Sequence, residues 1–184
     1  MSEYWYEAAF LLETLVNKAF GIDDNGMDLR FTLGTEKVDG GRTSSPFMTA
    51  MRNARPQPQS GHHTDMRRSL GGILANYIKQ VERSIKYRDM SNVKDLTLIV
   101  LTDGIWAGTL NKHDVDQTII NFAKHVKDLI GELRLRPVSI EFIQFGCDEE
   151  AAKMLKRLDD DLDKADIIPY VRTPIVPQSK ILMW

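Results

Sequence analysis

The sequence predicts an α/β protein, a mostly parallel, doubly wound sheet in three layers with helices on both of its faces. Segments of strand length alternate with helical stripes along most of the chain, the pattern of βαβ units. Two β-rich runs, LTLIVLT at 96–102 and VSIEFIQF at 138–145, have the character of neighbouring strands in the middle of such a sheet. The first of these runs stops at Asp103-Gly104, and in open α/β sheets ligands sit outside the carboxyl ends of the strands.

The elements follow in order. From Tyr4 to Phe20 the residues Trp5, Ala8, Leu12, Leu15, Val16 and Ala19 recur at helical spacing and Gly21 follows as a stop, which predicts an amphipathic opening helix. After the turn residues Asp23-Asp24-Asn25-Gly26, MDLRFTL alternates Met27, Leu29, Phe31 and Leu33 against polar residues, the pattern of a strand with one wet face. Residues 34–63 read as a long surface connection with a short helix from Pro46 to Arg55, because PQPQSGHH resists regular structure. Between Asp65 and Arg88, the residues Met66, Leu70, Ile73, Leu74, Tyr77, Val81 and Ile85 form one helical stripe. Gly71-Gly72 within it lowers helix stability, which predicts a close packing contact there. Asn111 and Asp114 start a helix carrying Val115, Ile119, Phe122, Val126 and Leu129 to about Gly131. Pro137 opens VSIEFIQFG, Asp148 caps a helix carrying Ala151, Leu155, Leu158 and Leu162, and ADIIPYV closes the pattern as a short strand.

Composition limits what such a chain does. Its 184 residues, 42% hydrophobic, suit one domain over 1–184 with a core able to fold unaided. With 24 basic and 26 acidic residues the formal charge is −2, which supplies no field for nucleic acid or an anionic membrane. Glu3 and Glu7 stand where a secretory leader would be basic and then apolar, and no apolar stretch approaches the ~20 residues that cross a bilayer. Cys147 is the single cysteine, so there is no internal disulfide; a cytoplasmic protein is expected.

The order of a strand ending at Asp103-Gly104, a helix, a strand ending in FIQFG and an acidic helix ending in LDDDL resembles a von Willebrand factor type A domain, and among these the vWA-like proteins of fungi. The resemblance runs from YWYEAAFLLETLV through GMDLRFTL to IEFIQFG and DIIPYVRTP. It implies a Rossmann-like sheet whose upper loops build a metal-ion-dependent adhesion site from three elements: a DxSxS loop, a threonine before a central helix and an aspartate after a later strand. Asp103 in LTDG matches the third element and Thr64 in SGHHTDMRRSLGGIL the second, with His62-His63 departing from the usual glycine-rich turn. The first element is missing, and Met1 falls where its loop would finish. By this resemblance the first central strand is absent and the chain stops within its last helix, at SKILMW.

The implied function is that of a non-catalytic protein-binding module with a degenerate metal site at Thr64 and Asp103. Mg²⁺ prefers oxygen ligands in octahedral array, and affinity falls with ligand charge and count. One carboxylate and one hydroxyl therefore predict weak or no Mg²⁺ binding. A partner's acidic side chain would complete the coordination, and strand edges left by the absent strand would favour a homo-oligomer.

Blander readings stand beside these. An Asp-Gly after a strand is ordinary turn chemistry, and Thr64-Asp65 suits the N-cap of the Met66 helix. His62-His63 reads as a solvated loop, since no Cys or third His lies at ligand spacing. Asp159, Asp160, Asp161 and Asp163 lack the glycine and terminal glutamate of a calcium loop and read as a hydrated helix end. Asp148-Glu149-Glu150 disfavours a Cys147 thiolate. A hydrolase or phosphotransferase built on Asp103 would need a second group, and neither Gly-x-Ser-x-Gly nor a phosphate loop is present.

Overall fold

A computed structural model describes residues 1–21, 25–56, 63–90, 93–111, 113–131, 138–164 and 171–172. They form a mixed α/β protein with the elements α1 (Trp5–Ala19), β1 (Met27–Arg30), β2 (Lys37–Gly41), α2 (Ser44–Asn53), α3 (Met66–Lys86), β3 (Leu96–Thr102), α4 (His113–Ile130), β4 (Val138–Gln144), α5 (Glu149–Lys164) and β5 (Val171–Arg172). Two compact units divide the chain, Met1–Thr64 and Asp65–Trp184.

In the first unit α1 buries Trp5, Ala8, Leu12 and Val16, the stripe that its sequence spacing predicts. The Trp5 indole donates to the Met51 carbonyl at 3.0 Å and its ring stacks on Phe31 at 5.9 Å, so one side chain ties α1 to α2 and to the end of the hairpin. The strand expected over MDLRFTL is shorter, ending at Arg30, and pairs antiparallel with β2. β2 lies inside the stretch read as a surface connection; KVDGG buries only Val38, a pattern with no periodicity to detect. Gly41 is required here, since a Cβ would meet the Phe47 ring at 2.4 Å, and Phe47 is fully buried. The short helix spans 44–53 rather than 46–55.

The second unit holds a parallel sheet in the order β3-β4-β5. β3 and β4 are neighbours in an unbroken register from Leu96 with Val138 to Thr102 with Gln144, as the two β-rich runs predict. Val138, Ile140 and Phe142 of β4 alternate into a core shared with Leu70, Leu74 and Val81 of α3, Val115, Ile119 and Phe122 of α4, and Leu155 and Leu158 of α5. The opposite face of these strands, with Ile99, Leu101 and Ile143, is half-buried. α4 ends at Ile130 before Gly131, whose φ of +57° fits the predicted stop. Of ADIIPYV, residues 165–170 lie outside the described residues and Val171 pairs with Ile140.

The glycine pair in α3 departs from expectation. A Cβ on Gly71 would touch Thr118 of α4 at 3.7 Å, ordinary contact, and one on Gly72 would meet nothing within 4 Å. Neither is required by close packing. No described helix is long and apolar enough to cross a membrane.

Candidate functional site

Asp103 follows the last residue of β3, so the parallel ladder delivers it to the carboxyl edge of the sheet. The loop behind it is built from β3 itself. Thr102 is buried, and its Oγ1 accepts from the Gly104 amide at 2.9 Å and from the Trp106 indole at 3.0 Å. Asp103 Oδ1 accepts from the Ile105 amide at 3.1 Å, closing the Asx turn that the Asp-Gly pair predicts. Gly104 sits at φ +77°, and a Cβ there would stand 2.5 Å from Ala151 Cβ, so the turn is pressed onto the first turn of α5. Trp106, 4% exposed, lies against Phe142 with centroids 6.0 Å apart. The Thr109 amide donates to the Trp106 carbonyl at 2.9 Å, and Thr109 Oγ1 accepts from the Met66 amide at 3.0 Å at the start of α3.

This web fixes the loop from beneath and leaves two large apolar residues outside it, Ile105 at 57% exposure and Leu110 fully exposed. Sequence reasoning passed over both, because an isolated Ile or Leu in a loop carries no periodic signal. Beside the loop, Asp148 Oδ1 accepts from the Ala151 amide at 2.8 Å, the expected cap of α5, and Gln144 Nε2 donates to the Asp148 carbonyl at 3.3 Å. Asp116 is a second carboxylate that the sequence did not single out. It is buried in α4, with Arg157 Nη2 of α5 at 3.3 Å and His113 Nδ1 at 3.5 Å, a bridge between helices.

The two residues predicted to hold a metal belong to different units and have different local roles. Thr64, half-buried, shares a hydroxyl–hydroxyl contact of 3.4 Å with Thr32. The N-cap of α3 is Asp65, whose carboxylate accepts from the Arg68 amide at 2.9 Å, so the capping role offered to the Thr64-Asp65 pair falls to the aspartate. Asp103 offers a hard cation one carboxylate, with one oxygen already accepting from Ile105. The Thr102 hydroxyl beneath it already accepts from two donors. Among the described residues no group of three His, Cys, Asp or Glu is placed to hold a metal ion. Of the histidine pair, His62 lies outside the described residues and His63 is exposed. Asp159 to Asp163 fall in the closing turns of α5, and Cys147 is exposed beyond β4.

Compared with models of known protein families, with curated proteins and with solved structures, the chain matches none.

Proposed function

We propose that this chain is a non-catalytic protein-binding module of the von Willebrand factor type A kind, whose partner docks at the carboxyl edge of β3 on the loop Asp103–Leu110. One observation carries the reading: a loop that opens at Asp103 and is pinned by Thr102, Trp106 and Thr109 holds Ile105 and Leu110 in solvent. A surface that is already ordered loses little conformational entropy when a partner binds, and two exposed apolar side chains on one ordered loop suit a protein rather than a small polar substrate. A three-layer, doubly wound arrangement belongs to this reading, as does a residual metal role for Asp103. A magnesium ion held at Asp103 would take one carboxylate oxygen from the loop and draw most of its remaining shell from water, which keeps its affinity low.

The test compares proteins cross-linked in cells to the wild-type chain with those cross-linked to an Ile105→Ser/Leu110→Ser variant. Partners recovered by the wild type and lost from the variant, with melting unchanged, support the reading; an identical set from both overturns it. Titrating Mg²⁺ or Mn²⁺ into wild type and Asp103→Ala, read by melting temperature, tests the metal role separately. A shift that survives Asp103→Ala removes Asp103 from it.

A further inference from the structure

α1 turns two aromatic rings outward, on the side where an amphipathic helix ordinarily carries polar residues. Its inner face buries Trp5, Ala8, Leu12 and Val16, while on the outer face Tyr6 is 67% and Phe10 70% exposed. A single exposed apolar residue is ordinary, but residues four apart on a helix are neighbours, so these two rings form one patch.

The chain itself shows what such a ring takes. Arg55, just after α2, sets its guanidinium carbon 4.8 Å from the centre of the Tyr6 ring, and its Nη1 donates to the Tyr6 hydroxyl at 2.9 Å. A guanidinium is planar and weakly hydrated, so it lies against an aromatic face more readily than an ammonium does. Phe10, one turn along α1, is as exposed as Tyr6, and among the described residues no cation covers it.

Charge points the same way. Glu7 and Glu13 stand three residues before and three after Phe10, which places a carboxylate on either side of the ring. Among the described residues neither enters an ion pair. The single cation within α1 is Lys18, in its last turn.

We infer that the outer face of α1 takes up a helix of a partner protein whose arginines recur every three or four residues, one of them lying over the Phe10 ring between Glu7 and Glu13. The partner is a helix because the rings and carboxylates it must meet recur at the spacing of helical turns. The carboxylates repel nucleic acid and anionic lipid, and a second copy pairing through α1 would set like charges against each other. This face stands apart from the loop at Ile105 and Leu110, so either reading can fail without the other.

The experiment titrates the full chain into a labelled helical peptide, three repeats of Ala-Leu-Arg-Ala-Ala-Arg-Ala, and follows anisotropy. The same peptide with lysine for arginine should bind about three- to fivefold more weakly, and with glutamate for arginine not at all. Phe10→Ala removes an exposed ring, so melting should hold while affinity for the arginine peptide falls about tenfold. Glu7→Gln/Glu13→Gln should weaken binding and flatten its dependence on salt. Ile105→Ser should leave affinity unchanged, which separates this face from the loop. No binding of the arginine peptide at about 1 mM, equal affinity for arginine and lysine peptides, or full affinity in Phe10→Ala would each overturn the inference. So would adsorption of the chain to neutral phosphatidylcholine vesicles, or self-association in sedimentation, if Phe10→Ala abolishes it.

Discussion

Replacing Thr102 with valine keeps the shape of the side chain and removes the single oxygen on which the Asp103 loop is hung. That oxygen accepts from the Gly104 amide and the Trp106 indole, and all three residues are buried. Without it two donors lose their acceptor in a place water reaches poorly. An unsatisfied buried donor costs about 1–3 kcal/mol, so with partial relaxation Thr102→Val should destabilise the second unit by about 2–4 kcal/mol. Thr102→Ser, which keeps the hydroxyl and loses one methyl, should cost about 1 kcal/mol. Urea denaturation followed by circular dichroism measures both, with the slope unchanged if only stability shifts. A loss below about 0.5 kcal/mol in Thr102→Val, or equal losses in the two variants, would show that the hydroxyl does not hold the loop.

Other consequences are as direct. Gly72→Ala meets open space within a helix and should stabilise by about 0.5–1 kcal/mol, read as a higher melting temperature. Asp65→Ala removes the cap on the Arg68 amide and should cost about 1 kcal/mol by denaturant melt, most of it restored in Asp65→Asn. Lys37 and then Arg30 hold the Asp39 carboxyl below its ordinary value of 3.8. A lowered pKa stabilises the folded form above that ordinary value, and the contribution is lost as pH falls through the folded one. Titrating the Asp39 carboxyl by NMR should therefore give a midpoint below 3.8 that rises in Lys37→Met.

Elements with a strong period were legible in the sequence. α1, α3, α4 and β4 each bury a repeating apolar face, and their burial follows the spacing of Trp5 to Val16, Met66 to Val81, Val115 to Ile130 and Val138 to Phe142. β2 was not legible, because Lys37–Gly41 buries one residue and owes its place to Gly41 under Phe47 and to Arg30, which donates to the Val38 carbonyl and pairs with Asp39. At the site, the Asp103 turn and the Asp148 cap could be read from local chemistry, since both act on amides a few residues away. The anchors Thr102–Trp106 and Thr109–Met66, and the Asp116–Arg157 bridge, could not. The Thr109–Met66 and Asp116–Arg157 contacts depend on which elements pack together, and the Thr102–Trp106 bond on the burial of the indole against Phe142, and packing decides these rather than a pattern in the chain.

The long separation between Leu96 and its partner Val138 also bears on how the chain comes off the ribosome. At about 5–20 residues per second, β3 emerges some seconds before β4 exists to receive it. For that interval the greasiest strand of the protein is a nascent segment without a ladder, and bringing it to β4 requires closing a long loop, a step that slows folding. Newly made chains should therefore lean on a chaperone that grips short apolar stretches, and synonymous changes that slow translation between α4 and β4 should raise the share of chain that aggregates.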